Sequence, residues 1–295
     1  MKILVTGANG QLGHDLMGEL KSRGHLPIGV DVSDMDITDD HAVEAVITSY
    51  RPDAVIHCAA WTAVDAAEES ENIDKVYLVN EIGTHNIASV CSSLKIKMMY
   101  ISTDYVFDGK GETPWDPDCK DYAPLNVYGK SKLRGELAIS SLLTDYFIVR
   151  IAWVFGKNGS NFIQTMLKIG EKHSQIKVVN DQIGTPTYTF DLARLLVDMI
   201  ESDKYGYYHA TNEGGYISWY EFAKEIFRQA AEAGYTNYDA EHLSVVPVST
   251  EEYGLSKAAR PYNSRLDKSK LIAQGFTPLP DWRDALHRYL VEKGM

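Results

Sequence analysis

The sequence predicts an α/β protein whose core is a doubly wound parallel (Rossmann) sheet, joined to a smaller α/β substrate-binding lobe. A short apolar strand, Lys2–Thr6, leads directly into a glycine-rich turn and an amphipathic helix. Predicted strands and helices then alternate along the first half of the chain, which is typical of βαβ units. The length of 295 residues is sufficient for one large α/β unit with an added lobe.

We expect the Rossmann domain to comprise residues 1–152 and about 175–203, and the lobe to comprise about 153–174 and 204–295. The strands predicted for the main sheet are Lys2–Thr6, Leu26–Val30, Ala54–Cys58, Lys97–Ser102, Phe147–Trp153 and Ile176–Val179. In the lobe, short strands are predicted at Tyr207–Ala210 and Val245–Val248. Ser218 and Glu221 have the spacing of a capping box, so a helix is predicted to begin there.

Charge and composition exclude several classes of partner. The chain has 41 acidic and 29 basic residues, a net charge of -12, which disfavours binding to nucleic acid or to anionic membranes. Cys58, Cys91 and Cys119 have neither CxxC spacing nor a neighbouring histidine cluster, so we expect free thiols and no metal site. Neither a signal peptide nor a long apolar run is visible, and we expect a cytoplasmic protein.

The glycine-rich turn has the spacing Gly7-x-x-Gly10-x-x-Gly13, between a strand and a helix. Glycines allow the backbone to approach a pyrophosphate, which then lies at the helix N-terminus. This context predicts a dinucleotide site, with a merely tight turn as the alternative. The cofactor-binding residues predicted here are Gly7, Asn9, Gly10, Gln11, Leu12 and Gly13.

The second strand ends at Asp31, where an acidic side chain can bind the adenosine ribose hydroxyls. No basic residue occurs between Val32 and Asp40 to meet a 2′-phosphate, which favours NAD(H). Asp36 and Ile37 are expected beside the adenine, whereas Asp34 fits a solvated turn equally well. After the third strand, the small or flat residues Ala59, Ala60 and Trp61 are expected where the cofactor passes. His57 is expected to be a packed core histidine.

Tyr128 and Lys132 are four residues apart on a predicted helix, so they share one face. An ammonium one turn away favours the phenolate, which would let the tyrosine release its proton near neutral pH. Such a pair suits carbonyl reduction, although an ordinary solvated helix face gives the same spacing. Thr103 ends the fourth strand, where its hydroxyl could bind a carbonyl beside Tyr128. Asn80 could hold the Lys132 ammonium through water or simply pack.

These residues together resemble the extended short-chain dehydrogenase/reductase superfamily, and more narrowly the dTDP-4-dehydrorhamnose reductases, over nearly the whole chain. The matching stretches are Thr62–Asp65, Ser102–Phe107, Pro124–Lys130, Trp153–Val154, Asn161–Phe162, Asn180–Gln182 with Gly184 and Pro186, and Arg260–Pro261 with Asn263–Ser264. The resemblance implies reduction of the C4 keto group of dTDP-4-dehydro-β-L-rhamnose, a step of dTDP-rhamnose and polysaccharide biosynthesis.

The resemblance also implies residue roles. Thr103, Tyr128 and Lys132 would form the catalytic set, and Tyr128 and Lys132 would also contact the cofactor. The substrate-binding residues would be Val64, Thr103, Asp104, Tyr105, Trp153, Asn161, Arg260 and Asn263. The Arg260 fork suits a diphosphate, although an exposed arginine before a turn proline is the plainer interpretation. Related 4,6-dehydratases carry Asp-Glu after the threonine, so Tyr105 removes the base that elimination needs.

The resemblance implies a family of enzymes that use NADPH and often accept NADH. We therefore expect use of both cofactors, NADP(H) and NAD(H). The expected partner is a small nucleotide-sugar substrate, in a monomer or homodimer, and no metal is assigned. One alternative is a reductase or epimerase for another nucleotide-4-keto sugar, which product analysis would distinguish. The other is a non-catalytic NADP(H)-binding subunit that regulates a partner enzyme, which the intact Thr103, Tyr128 and Lys132 argue against.

Overall fold

The structure, a computed structural model, describes residues 1–295 and contains fourteen strands and eleven α-helices. The strands are β1 (Lys2–Thr6), β2 (Leu26–Val30), β3 (Ala54–His57), β4 (Lys97–Thr103), β5 (Tyr146–Ile151), β6 (Val154–Phe155), β7 (Gln175–Val179), β8 (Ile183–Gly184), β9 (Thr187–Tyr188), β10 (Gly206–His209), β11 (Asn212–Glu213), β12 (Ile217–Ser218), β13 (Ser244–Val248) and β14 (Leu279–Asp281). The helices are α1 (Gln11–Ser22), α2 (Asp40–Tyr50), α3 (Ile73–Tyr77), α4 (Thr84–Leu94), α5 (Val127–Leu142), α6 (Phe162–Gly170), α7 (Thr189–Ile200), α8 (Trp219–Glu232), α9 (Thr250–Tyr253), α10 (Ser269–Ala273) and α11 (Trp282–Glu292).

Six parallel strands form the main sheet in the order β10-β5-β4-β3-β1-β2. The chain moves outward from β1 to β2 and then returns to the other side of β1 with β3. The direction of winding therefore reverses between β1 and β3, and open α/β sheets bind ligands at the carboxyl ends of the strands at such a reversal. The predicted doubly wound α/β fold is confirmed.

Both faces of this sheet are covered, as parallel sheets require. On one face α1 and α7 pack together over buried residues that include Leu16, Leu196 and Val149. On the other face α2, α4 and α5 cover a second core that includes Leu4, Val55 and further buried side chains. The sheet is thus packed between two helical layers.

Two strands lie in sheets other than those predicted. β7 was expected in the main sheet but pairs with β13 in the lobe, whereas β10, expected in the lobe, forms an edge of the main sheet beside β5. The physical reason is visible in burial. Gln175 and Lys177 of β7 are exposed and alternate with buried Ile176, which suits a sheet covered on one face, while Tyr207 and Tyr208 of β10 are both buried.

The lobe has its own core, which is built from α6, α8 and α11 around aromatic side chains such as Phe155, Phe222, Trp282 and Tyr289. The predicted capping box is confirmed, since the Ser218 hydroxyl accepts from the Glu221 amide and the Glu221 carboxylate accepts from the Ser218 amide. This fixes the start of α8.

A fully buried ion pair connects α5 to the sheet. The Arg150 guanidinium donates to both oxygens of the Glu136 carboxylate at 2.9 and 2.7 Å. The same guanidinium donates to the Pro117 carbonyl and to the Tyr122 hydroxyl. It therefore ties β5, α5 and the loop that precedes α5 into one unit.

Three other expectations concern the chain as a whole. Cys58, Cys91 and Cys119 are all free thiols. His57 is fully buried, and its two ring nitrogens hydrogen-bond to the hydroxyls of Thr6 and Thr84, as expected of a core histidine. No helix has the length and apolar character needed to cross a membrane.

Candidate active site

A cavity of about 700 Å³ opens at the carboxyl ends of β1, β3, β4 and β5, where the winding of the sheet reverses. Residues from both the sheet and the lobe form its walls. The predicted site residues that line it are Gly7, Gly10, Gln11, Leu12, Gly13, Asp31, Asp36, Ile37, Ala59, Ala60, Val64, Thr103, Asp104, Tyr105, Tyr128, Lys132 and Trp153.

The glycine turn shapes one end of this cavity. Gly7 has φ of +65°, and a Cβ atom there would lie 2.8 Å from the Ala59 nitrogen. A Cβ on Gly13 would lie only 2.1 Å from the Gly7 carbonyl oxygen. The turn can therefore be this tight only with glycine. Gly10 is the N-cap of α1 and offers no side-chain cap, so the first N–H groups of the helix are open to an anionic ligand.

Asp31 lines the cavity beside the glycine turn. Its carboxylate accepts from the backbone N–H of Asn9 at 3.1 Å, so the acid is fixed against the glycine turn. Asn9 itself does not line the cavity; its carbonyl accepts from the Asn158 side chain. Asp34 accepts from the Asp31 backbone and stays outside the cavity, while the Asp36 carboxylate accepts from Thr38.

Lys132 is the only lysine or arginine among the residues that line the cavity. The end of the cavity at Asp31 and Asp36 is therefore acidic without a matching cation. A ribose hydroxyl can donate to such a carboxylate, whereas a 2′-phosphate would meet like charge.

Tyr128 lies in the first turn of α5. The Asn126 side chain caps this helix by accepting from the Gly129 N–H at 2.8 Å, and Tyr128 meets the Tyr105 ring edge-to-face at 5.6 Å. Burial raises the pKa of Tyr128 above its ordinary value, a hydrogen bond with the Thr103 hydroxyl opposes this shift, and the Asp104 carboxylate adds to it. The phenol is therefore protonated at neutral pH.

Lys132 follows one turn later and is 2% exposed. Its ammonium donates to the Ile101 carbonyl at 2.7 Å and lies 4.0 Å from the centre of the Tyr100 ring. Burial lowers the pKa of Lys132 to about 7, although Glu136 and Cys58 oppose the shift. The expected lowering of the Tyr128 pKa by Lys132 is absent from this arrangement, because burial of the phenol outweighs other effects and the ammonium is directed at Ile101.

Thr103 and Asp104 form a polar pair beside Tyr128. The Thr103 hydroxyl donates to one Asp104 oxygen at 3.0 Å and accepts from the Tyr105 N–H. Burial raises the pKa of the Asp104 carboxyl to about 6, against the opposing effect of the Ser264 and Thr103 hydroxyls. The second Asp104 oxygen makes no hydrogen bond of ordinary geometry. It is a polar atom available at the buried end of the cavity.

Arg260 lies next to the cavity and contacts it only through Tyr105. Its guanidinium donates to the Tyr105 hydroxyl at 3.2 Å and to the Asp65 carboxylate at 2.6 Å. Arg260 does not line the cavity but lies directly behind Tyr105, which does. Asp65 also accepts from the backbone N–H groups of Lys257 and Ala258, so it fastens this loop of the lobe to the Rossmann half.

Asn161 and Asn263 are predicted substrate ligands that the structure places elsewhere. Asn161 caps α6 by accepting from the Gln164 N–H, and it donates to the Gly156 carbonyl and the Tyr289 hydroxyl. Asn263 is 1% exposed and donates to the carbonyls of Lys110 and Thr113. Their amides are occupied in shaping loops.

Trp61 likewise does not line the cavity. Its backbone is held by the Asn80 side chain in two hydrogen bonds. Asn80 also donates to the Ser131 hydroxyl at 3.0 Å. Of the two roles considered for Asn80, the structure shows direct packing against Trp61 and Ser131. No group of three or more His, Cys, Asp or Glu side chains is arranged to hold a metal ion.

Comparison with known proteins now assigns the family. Residues 1–294 match the family model described as the RmlD substrate binding domain. The chain belongs to the RmlD family. It is similar to the spore coat polysaccharide biosynthesis protein SpsK of Bacillus subtilis, with 41% identity over 99% of this chain and 98% of that protein. It is also similar to a Streptomyces niveus dTDP-4-keto-6-deoxy-D-glucose reductase, with 36% identity over 96% and 94%.

Further curated relatives, 35% to 38% identical, are named dTDP-4-dehydrorhamnose reductase. Among solved structures, the Bacillus anthracis dTDP-4-dehydrorhamnose reductase in complex with NADP is 42% identical. It covers 99% of both chains with a TM-score of 0.90. The resemblance that the sequence motifs indicated is therefore confirmed over the whole RmlD-family chain.

Sequence reasoning missed several residues of this RmlD-family cavity, chiefly Trp219, Cys58 and Ser160. Trp219 stacks on Trp153 with ring centroids 3.7 Å apart and planes at 15°. Its position after the N-cap Ser218 indicated only a helix start, and the partner is distant in sequence. Burial raises the pKa of the Cys58 thiol to about 12, so it remains an uncharged part of the wall.

Proposed function

We propose that this chain is an NAD(P)H-dependent dTDP-4-dehydrorhamnose reductase, which reduces the C4 keto group of dTDP-4-dehydro-β-L-rhamnose to give dTDP-L-rhamnose. The observation that carries the proposal is the convergence, in one cavity, of a glycine-capped helix N-terminus with Thr103 and Tyr128. The names of the RmlD-family relatives support the same substrate.

The residues of the cavity fit a nicotinamide dinucleotide. The turn at Gly7 and Gly13 is tight because a Cβ atom at either position would collide with the backbone of Ala59 or of Gly7. The open N–H groups of α1 suit a diphosphate. Asp31 would accept from the adenosine ribose hydroxyls. A bound nicotinamide supplies the hydride for carbonyl reduction. NADP in a relative that is 42% identical supports NADP(H), and the acidic adenosine end supports NAD(H) as well.

Tyr128 would donate the proton to the carbonyl oxygen. The raised pKa keeps the phenol protonated at neutral pH, and Thr103 lines the same cavity. Thr103 would hold the same carbonyl oxygen and orient it toward Tyr128. A positioned acid of this kind contributes roughly 10² to 10⁴ in rate.

Lys132 would hold the ribose next to the nicotinamide and keep a positive charge beside the phenol as the proton leaves. Lys132 lines the cavity and its ammonium donates to the Ile101 carbonyl, which supports a role through the ribose rather than through a direct bond to Tyr128. The sugar would lie between Tyr128 and Trp153, with Val64 and Tyr105 beside it. Arg260, held behind Tyr105, would attract the diphosphate of the substrate.

The decisive experiment follows oxidation of NADPH and of NADH with dTDP-4-dehydrorhamnose and identifies the product. We expect oxidation with formation of dTDP-L-rhamnose. Tyr128→Phe keeps the ring contact with Tyr105, so it should lower kcat by roughly 10² to 10⁴ and leave cofactor affinity within about twofold. Full turnover by this variant would remove Tyr128 from the mechanism, and binding without oxidation would point to a regulatory subunit.

One specific relative favours a second candidate. The Streptomyces niveus protein is named a dTDP-4-keto-6-deoxy-D-glucose reductase, so the substrate here could be the 4-keto sugar before epimerisation. The same assay with dTDP-4-keto-6-deoxy-D-glucose distinguishes the two, because the products differ in the configuration of the sugar. A higher kcat/KM with this substrate would replace the first proposal.

The proposed setting is the cytoplasm, where both nucleotide sugars and reduced nicotinamide nucleotides are available, and the proposed assembly is a monomer or homodimer. The three free thiols are consistent with a reducing compartment. Light scattering of the purified protein would decide between monomer and homodimer, and a larger assembly would contradict the proposal.

A further inference from the structure

Trp153 has a backbone conformation that needs support. Its φ of +52° lies in the left-handed region, which is uncommon for a bulky residue and persists only where the surroundings determine it. The indole is wedged against Gly184, since a Cβ atom on that glycine would lie 2.9 Å from the Trp153 ring. The ring is therefore placed at the cavity wall by its neighbours rather than by a relaxed backbone.

Trp219 is the neighbour that covers a face of this indole. The two rings are nearly parallel, with centroids 3.7 Å apart, and Phe162 also packs against Trp219, with centroids 4.5 Å apart and planes at 50°. Trp219 is itself fixed, because it is the first residue of α8 behind the Ser218 cap, and the Ser218 hydroxyl donates to the Asn180 side chain. Phe162, Trp219 and Trp153 thus form an aromatic cluster that packs against the lobe core and reaches the cavity through Trp219 and Trp153.

We infer that Trp219 is a positioning residue for the sugar: it holds the Trp153 indole in the one orientation that presents a flat apolar surface to the substrate. This inference rests on the proposed function, because it takes Trp153 as a contact of the sugar ring. The C–H face of a deoxy sugar packs well on an indole. A tryptophan free to rotate would have to be ordered when substrate binds, and Trp219 removes that entropic cost in advance.

The test compares Trp219→Ala and Trp219→Phe with the wild type and with Tyr220→Ala, a matched control at the next position of the same helix. Tyr220 is half-buried and does not line the cavity. We expect Trp219→Ala to raise KM for dTDP-4-dehydrorhamnose, and Kd for the product dTDP-L-rhamnose, by about tenfold. We expect kcat and the Kd for NADH to stay within about twofold, and Trp219→Phe to restore most of the loss.

A spectroscopic readout reports the stack itself. Two indoles packed face to face couple their excited states and give a paired positive and negative band in circular dichroism. We expect this pair of bands in the wild type and in Tyr220→Ala, and its loss in Trp219→Ala, Trp219→Phe and Trp153→Phe. If Trp219→Phe loses the paired bands but keeps most of the substrate affinity, the aromatic packing of residue 219 on Trp153 is what supports binding.

Three outcomes would overturn the inference, and they are distinguishable from one another. If the wild type turns over the sugar and Trp219→Ala has lost the paired bands but has an unchanged KM, the inference fails and the proposed function stands. If the wild type neither reduces the keto sugar nor binds dTDP-L-rhamnose, the proposed function fails and the inference fails with it. If Trp219→Ala lowers kcat, weakens NADH binding and raises KM by similar factors, Trp219 has a merely structural role, which also overturns the inference.

Discussion

At the residue scale, we expect Asp31 to determine how tightly the protein binds a dinucleotide that carries a 2′-phosphate. Asp31→Asn should lower Kd for NADPH about tenfold, because it removes roughly 1.4 kcal/mol of repulsion between two partly solvated charges. Kd for NADH should rise, since the amide is a weaker acceptor for the ribose hydroxyls. Fluorescence titration of both cofactors measures this without any turnover.

Asp34→Asn is the matched control for that experiment, because Asp34 is adjacent to Asp31 but outside the cavity. It should leave the ratio of the two dissociation constants unchanged. An equal effect of both substitutions would mean that only the general charge of the loop matters, and the specific role of Asp31 would be lost.

Lys132 makes cofactor binding depend on pH. Burial lowers the pKa of this group to about 7, so the free protein carries an ammonium below pH 7 and a neutral amine above it. An anionic dinucleotide binds the ammonium form better, and Kd should therefore rise as pH increases through 7. Between pH 6 and 8.5 we expect an increase of about threefold to tenfold for NADH, which corresponds to up to one unit of pKa change on binding.

The same titration with Lys132→Met should show weaker binding and a flat profile over this range. NADH is the right probe, because it lacks the titrating phosphate monoester of NADPH. A wild-type Kd that falls with increasing pH would contradict the sign of this prediction.

At the scale of single elements, α5 depends on its cap. The Asn126 side chain accepts from the Gly129 N–H and donates to the Ala259 carbonyl at 2.8 Å, so one amide fixes both the helix and the loop before Arg260. Asn126→Ala should lower the free energy of unfolding by about 1 to 2 kcal/mol, as loss of an N-cap does. Urea unfolding of the purified protein measures this.

Asn126→Ser separates the two roles of that amide. Serine can cap the helix but is too short to reach Ala259. Asn126→Ser should therefore recover most of the stability, whereas KM for the sugar nucleotide should be raised in both variants. If Asn126→Ser restored KM as well, the link from Asn126 to the Arg260 loop would have no part in substrate binding.

A local element could be predicted where the residues that determine its conformation all lie within one short stretch of sequence. The turn from Gly7 to Gly13 and the capping box at Ser218 depend on residues within seven positions of each other, and both are present. Strand pairing depends on distant partners. The apolar stretch at β7 therefore suggested the main sheet, although its alternation of exposed Gln175 with buried Ile176 already favoured a sheet covered on one face.

The same distinction explains the candidate site. Tyr128 and Lys132 were found because their spacing is local, and Thr103 because it ends a strand. Asn161 and Asn263 lie outside the cavity, and an amide that caps its own loop has the same sequence signature as one that binds a ligand. Trp219 was missed because its stacking partner Trp153 lies far away in the chain.

At the scale of the whole molecule, the buried pair of Glu136 and Arg150 joins the sheet, α5 and the loop before α5. Both side chains are fully buried. Glu136→Gln leaves the guanidinium without a counter-charge, and we expect a loss of about 3 to 5 kcal/mol in the free energy of unfolding. Chemical denaturation monitored by fluorescence measures the change.

The double variant Glu136→Leu with Arg150→Met tests the cause. It removes both charges, so it should be more stable than Glu136→Gln even though Pro117 and Tyr122 lose a hydrogen-bond donor. A double variant that is less stable than Glu136→Gln would show that the guanidinium contributes mainly through those two partners and through packing.

The strand order has a consequence for synthesis of the protein. β10 covers the edge of β5, and α7 covers α1, yet both come from residues 189–209. A nascent chain on the ribosome that has emerged only through β5 has an open strand edge and an uncovered apolar face on α1, both of which favour aggregation. The cofactor-binding half therefore completes its fold only after much of the second half has been translated. Separate expression of residues 1–152 would give a sheet without its last strand.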